Sequence, residues 1–180
     1  MQNSHFDSYS KINLGLKVLN KRTDGFHNIQ SIFVQLNLCD SILFKPAESF
    51  EIICKNNSVP TNESNTIYKA YQMLDQQFNF KKHYKITLKK NIPIGSGLGG
   101  GSSNAACTLT ALNKLLNLKI NNNYLHDIAL SIGSDVPFFL KGGIKLVQGR
   151  GEIIKNYHVK HKFKDLKFLI VYPNISISTD

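Results

Sequence analysis

Between Pro93 and Ala106 the chain reads Pro-Ile-Gly-Ser-Gly-Leu-Gly-Gly-Gly-Ser-Ser-Asn-Ala-Ala, and five of the seven residues from 95 to 101 are glycine. Such a stretch lets successive backbone N–H groups close on an oxyanion with no side chain in the way. Before it, Tyr84, Ile86 and Leu88 alternate with polar residues as a strand does; after it, Ala106, Leu109, Leu112, Leu115 and Leu116 form a helical stripe. Strand, glycine loop and helix start, in that order, are the parts of a phosphate site, because the first amides of a helix lack partners and its dipole favours negative charge. Ser102 and Ser103 add hydroxyls at the helix entrance that could cap the helix or touch phosphate or a metal ion. The plain alternative is a flexible linker, but Leu98 and the Pro93 start, set between two periodic elements, are not linker chemistry.

What the loop lacks narrows its type. A Walker loop ends in Gly-Lys-Ser/Thr, and no lysine occurs between Pro93 and Asn113. Gly95-x-Gly97-x-x-Gly100 formally fits a dinucleotide fingerprint, whose ribose-binding acid belongs roughly 20 residues on. That region reads Leu118-Lys119-Ile120-Asn121-Asn122-Asn123. A protein-kinase glycine loop joins two strands, whereas this one opens a helix.

The remaining elements must position such a site. Ile12, Leu14, Leu16 and Val18 alternate with polar residues as a half-buried strand, which puts Lys11 and Asn13 on its other face. After the turn residues Thr23-Asp24-Gly25, strands are expected at Ile32–Leu38, Ser41–Lys45 and Phe50–Cys54. Ser64 or Asn65 can cap a helix through Ile67, Ala70, Tyr71, Leu74 and Phe78. A further helix carries Leu125, Ile128, Ala129 and Ile132, ends at Gly133 and is followed by Asp135 and the apolar Val136–Phe139, a setting that partly desolvates the carboxylate. Read alone, Asp135 would sooner close a turn before Pro137. Phe168–Tyr172 has the length of a buried strand.

Composition sets outer limits. With 180 residues, 42% hydrophobic and 19% charged, the chain has the make-up of a globular domain. No apolar run approaches the ~18–20 residues needed to cross a bilayer, and the amino terminus carries no secretory pattern, so a cytoplasmic address is the default. Cys39, Cys54 and Cys107 show no metal or redox spacing and are expected as free, buried thiols; no metal-ligand spacing occurs among the histidines either. The net charge of +10 invites an anionic partner, but every basic residue except Arg22 and Arg150 is lysine, and Asn and Ile are abundant too. That is largely the signature of A/T-rich codons. A nucleic-acid reading would have to use Lys81–Lys90 or Lys160–Lys164.

The glycine loop resembles that of the GHMP small-molecule kinases. Four blocks resemble, in order, the kinases of 4-diphosphocytidyl-2-C-methyl-D-erythritol: Ser10-Lys11-Ile12-Asn13-Leu14, Arg22-x-Asp24-Gly25-Phe26-His27, Gly97 to Ala106, and Gly133-Ser134-Asp135-Val136-Pro137-Phe138-Phe139. The resemblance implies the α+β fold of GHMP amino-terminal domains, ribosomal protein S5 domain 2-like, with a left-handed β-α-β crossover. It implies transfer of the ATP γ-phosphoryl group to the 2-hydroxyl of that substrate, with Mg²⁺ on the phosphates. Neither nucleic acid nor membrane is expected as a partner.

By the same resemblance Asp135 is the catalytic base and Lys11 its cationic partner. Asn13, Phe26 and His27 contact substrate, with Phe26 stacking on cytosine where the family more often has Tyr. Phe26-His27 read alone could be a buried hairpin corner. Pro93, Ile94, Gly95, Ser96, Gly97, Leu98, Gly99, Gly100, Gly101, Ser102 and Ser103 hold the phosphates, and Asn65 and Lys90 the adenine. Ser103 and Asp135 are the candidate Mg²⁺ ligands. The family continues into a second domain, so residues 1–165 are expected to form the ATP-binding domain and 166–180 to begin one that is largely absent from this chain. The alternatives are a sister kinase acting on homoserine, mevalonate or a sugar, which would share the loop without requiring the Arg22–His27 block, or an inactive nucleotide-binding fragment.

Overall fold

The computed structural model describes residues 2–158 and 166–173, so the basic run Lys160–Lys164 lies outside the described residues. In chain order the elements are β1 (Ser4–Lys21), β2 (His27–Ala47), β3 (Glu51–Cys54), α1 (Thr66–Phe78), β4 (His83–Lys89), α2 (Gly100–Leu115), α3 (Asn122–Ile132), α4 (Val136–Lys141), β5 (Ile144–Gly149) and β6 (Ile153–Asn156).

The two longest alternating stretches pair with each other. β1 and β2 form an antiparallel hairpin, and β2 runs without a break through the two strands expected at 32–38 and 41–45. Its other edge is shared: β5 pairs residues 29–34 and β4 pairs residues 41–47, both antiparallel. β3 lies parallel to β4, and β6 antiparallel to β5. Side chains bridge the interval between the two pairings. Gln35 exchanges hydrogen bonds with Gly143, and Asp40 takes the chain leaving β4.

Helices cover one face of the sheet. Asn65, not Ser64, caps α1 by accepting from the Ile67 amide, and the helical spacing buries Ile67, Ala70, Tyr71 and Leu74. These meet Ile42, Phe44, Ile86 and Leu88 from the sheet and Leu109 and Leu112 from α2. Each large apolar side chain buried there contributes about 1.5–3 kcal/mol. A second, smaller cluster joins Phe33 and Val147 of the sheet to Phe138 of α4. Among the described residues no helix is long and apolar enough to cross a membrane.

Two expectations fail for tertiary reasons. Leu14, Leu16 and Val18 do form strand, but they are 41%, 55% and 57% exposed. The helical layer covers the first half of β1, from Phe6 to Lys11, and a bulge inserts Gly15 (φ +75) between Leu14 and Leu16. The extra residue swaps which face the alternation presents. Phe168–Tyr172 forms no strand. Leu169 and Val171 are exposed, while Leu166, Phe168 and Ile170 flank a groove with Leu14, Val34 and Leu36. The three cysteines are free as expected, but each is only half-buried.

Candidate active site

Strand β4 ends at Lys89, and the chain turns through Pro93 into the glycine loop. Gly95, Gly97 and Gly99 have φ of +69, +74 and +72, while Ser96 and Leu98 between them stay negative. That alternation turns neighbouring amides toward one side, the geometry of an anion nest, and the left-handed φ values explain why glycine is needed there. Gly99 is also the N-cap of α2, with no side chain closing the helix end. The first amides of α2 are therefore left facing the loop.

This loop walls a cavity of about 400 Å³, within the size range of small-ligand pockets. Residues 93–102 line it on one side, with Asn65, Thr66, Lys90 and Ser58–Pro60 around them. The whole proposed phosphate loop except Ser103 thus meets Asn65 and Lys90 in one place. Ser103 departs from expectation: its side chain is buried, it accepts from Ser8 Oγ at 2.7 Å, and its amide donates to Gly99 O. Neither it nor Ser102 caps the helix, and Ser102 is the hydroxyl that lines the cavity. The Asn65 amide side chain is committed internally, to the Ile67 N–H and to Pro60 O.

Lys11, Asn13 and Asp135 form a second group against the loop's outer edge. The Lys11 amide donates to Leu98 O at 2.9 Å, and a Cβ on Gly99 would stand 3.1 Å from Lys11 Cγ. Lys11 is buried, and its Nζ lies 3.3 Å from Asp135 Oδ2, 2.7 Å from Asn13 Oδ1 and 4.8 Å from the centre of the Phe33 ring. Asn13 is held in turn by Ser31 Oγ, which donates to the bulge carbonyl of Gly15. Asp135 precedes α4 but does not cap it. Its carboxylate is one-third exposed, so one side remains open to solvent.

Phe26 and His27 sit at the exposed tip of the β1–β2 hairpin, not in a buried corner. The chain's only two arginines converge there. Arg22 pairs with Asp24 and Glu152, and the Arg150 guanidinium lies 5.2 Å from the Phe26 ring centre. Desolvation works the other way, yet hydrogen bonds from Arg22 and the Phe26 amide, with the charges of Arg22 and Arg150, hold the Asp24 carboxyl below its ordinary value. The β5–β6 turn that carries Arg150 also reaches Asp135's neighbour, since a Cβ on Gly151 would strike Ser134 O at 2.4 Å. One turn therefore links the aromatic tip to the carboxylate.

A family model described as the GHMP kinases N terminal domain matches residues 65–143, which contain the glycine loop and Asp135. The fold is that of a GHMP kinase amino-terminal domain. The chain is 41% identical over 172 residues to the 4-diphosphocytidyl-2-C-methyl-D-erythritol kinase of Thermoanaerobacter pseudethanolicus, covering 96% of this chain and 58% of that protein. It superposes with a TM-score of 0.74 and 33% identity on a crystal structure of 4-(cytidine 5'-diphospho)-2C-methyl-D-erythritol kinase, covering 87% of this chain and 56% of that one. The Methanococcus jannaschii mevalonate kinase superposes at 0.65 with 15% identity over 88% of this chain and 56% of that one, a likeness of GHMP fold alone. The chain spans less than two thirds of the length of the curated relatives it matches.

Behind the loop lies a charge that the strand pattern alone did not single out, Asp40. It is completely buried and pairs with Lys90 behind the loop. A signal was present: Asp40 shares a strand face with the core residues Ile42 and Phe44, and an inward-pointing charge requires a partner. Of the basic stretch 81–90, Lys90 is turned inward to Asp40 and Lys85 pairs with Glu51 at the surface, so two of its cations are already matched within the chain.

Proposed function

We propose that this chain supplies the ATP-binding and hydroxyl-activating part of a kinase that phosphorylates the 2-hydroxyl of 4-diphosphocytidyl-2-C-methyl-D-erythritol, a step of the non-mevalonate route to isoprenoid precursors. The observation that carries the reading is the Lys11–Asp135 pair set against the Leu98–Gly99 edge of the glycine loop. Phosphates in the cavity would accept from loop and helix amides, and the acceptor hydroxyl would lie at the open side of Asp135. Its carboxylate takes the hydroxyl proton as that oxygen attacks the γ-phosphorus. The bond to the β,γ-bridging oxygen breaks, and its electron pair leaves with ADP. Lys11, fixed by Asn13 and Phe33, orients the carboxylate and offsets its charge.

Mg²⁺ bound with ATP would offset phosphate charge. The donors here suit an ion held mainly by phosphate and water oxygens, with Asp135 as the adjacent carboxylate and Ser102 as the available hydroxyl, because the Ser103 hydroxyl is buried and does not line the cavity. At the hairpin tip the half-exposed Phe26 ring offers a stacking face for cytosine and His27 a polar edge.

The test is ADP release in a coupled assay over a panel of 4-diphosphocytidyl-2-C-methyl-D-erythritol, mevalonate, homoserine and galactose, alongside calorimetric titration with ATP. Turnover confined to the cytidylyl substrate is the expected result. Turnover of another alcohol would transfer the reading to a sister kinase, and the absence of nucleotide binding would remove it.

A further inference from the structure

Asp40 accepts four hydrogen bonds. Oδ1 receives the amides of Asn91 and Ile92, each at 2.8 Å; Oδ2 receives Lys90 Nζ and, at 2.9 Å, Asn104 Nδ2. Both oxygens are saturated, as a fully buried carboxylate requires. The donors come from the two ends of one segment: residues 90–92 enter the glycine loop, and Asn104 leaves it inside the first turns of α2. The exit side is braced further. Asn104 Nδ2 also donates to Ser8 Oγ, Ser8 Oγ donates to Ser103 Oγ, and the Ser103 amide donates to Gly99 O. Between these anchors the loop is tight, for a Cβ on Gly100 would stand 2.6 Å from Lys90 Nζ.

We propose that Asp40 is a positioning residue for nucleotide binding, a single carboxylate that ties the entry of the phosphate loop to its exit and so presets the loop's curvature. The inference rests on reading the cavity as a nucleotide site. Asp40 is walled off from solvent and does not line the cavity; it acts through the backbone of residues 90–92 and through Asn104. It also neutralises Lys90, so the phosphate cradle is made of oriented amides and not of a free ammonium.

Charge and geometry predict opposite signs for one variant. Asp40→Asn leaves the Lys90 cation uncompensated beneath the loop, which by Coulomb attraction alone would tighten binding of an anion. It also places an amide NH₂ where only donors converge, so at least one anchor must open. Positioning therefore predicts MgADP affinity weaker by about tenfold or more, since an ångström's misplacement can cost up to about 10²-fold.

Calorimetric titration of the protein with MgADP, with circular dichroism confirming the fold at the titration temperature, reads the outcome. Asp40→Asn that is folded and binds as tightly as wild type, or more tightly, overturns the proposal. Breaking a buried pair can itself unfold the domain, so Ser8→Ala serves as second variant: it cuts only the Asn104–Ser8–Ser103 brace and leaves every charge in place. Affinity weakened by about threefold, the scale of one lost hydrogen bond, is expected, and unchanged affinity in a folded Ser8→Ala overturns the proposal whatever Asp40→Asn does. Wild-type protein that binds no MgADP defeats the nucleotide-site reading itself, an outcome distinct from either variant result.

Discussion

The ammonium of Lys11 stands 3.3 Å from the carboxylate of Asp135, although one comes from the first strand and the other from the turn before α4. Three contacts fix the lysine end: the Asn13 side chain, the Phe33 ring and the backbone bond to Leu98. The carboxylate is the free partner, anchored by no capping bond and open on one side. A fixed cation and a half-free anion suit a base that must receive a proton and keep its place.

Asp135→Asn should therefore lower turnover by about 10²–10⁴-fold, the range for a positioned general base, while leaving affinity for ATP without Mg²⁺ within about twofold, because Asp135 does not line the nucleotide cavity. Single-turnover ADP formation and calorimetry separate the two quantities. Turnover at the wild-type rate would remove Asp135 as the base.

Two glycines of the same loop should respond with opposite signs. At Gly99 a methyl group would meet the Phe139 ring at 2.7 Å on a backbone of φ +72, and that ring packs edge-on against buried Phe138. Gly99→Ala should cost about 1–3 kcal/mol of stability. Gly101 lies inside α2, and its nearest neighbour to a new Cβ, Thr66 Oγ1, is 3.7 Å away. Gly101→Ala should melt at or above wild type, since alanine in a helix gains about 0.5–1 kcal/mol over glycine. Scanning calorimetry of both variants checks the pair, and equal losses would refute the assigned loop geometry.

At the hairpin tip the Arg150 guanidinium backs one side of the Phe26 ring. If the other side stacks on cytosine, Arg150→Ala should raise KM for the cytidylyl substrate by about threefold to tenfold, matching a cation–π contact of about 1 kcal/mol, with ATP affinity unchanged. Steady-state kinetics with each substrate varied in turn reads the split. An equal change in both constants would point to general loosening of the β5–β6 turn.

The features legible in the sequence were those written locally. The helix cap at Asn65, the stripe of α1, the shared face of Lys11 and Asn13 and the strand–loop–helix around Gly95–Gly101 depend on neighbours within one turn or one pleat. What stayed hidden depends on distant partners. β5 and β6 are strands of six and four residues that exist because β2 offers a free edge at residues 29–34. Leu14, Leu16 and Val18 are exposed because the helical layer does not reach that end of β1, which no period-2 reading registers. Phe168–Tyr172 had the apolar content of a strand but finds no ladder among the described residues. The candidate site followed the same division: its loop was readable, while Asp40's role required knowing that residues 90–92 and Asn104 meet at one carboxylate.

Alkaline pH should weaken the domain through groups far from the chemistry. Burial, with a smaller contribution from the Asp7 carboxylate, pushes the Cys107 thiol from an ordinary 9.0 up to about 12, and burial raises the Tyr71 hydroxyl, which is bonded to His83 Nδ1, above its ordinary range. Both groups hold their protons more tightly folded than unfolded. Above pH 9 the unfolded chain therefore releases protons that the native state retains, and stability falls as pH rises. The urea midpoint should be insensitive to these groups below pH 9 and decline between pH 9 and 12. Cys107→Ala removes one of them, so its midpoint should fall less steeply over that interval than wild type's. Identical slopes would show that the thiol does not contribute to the alkaline loss.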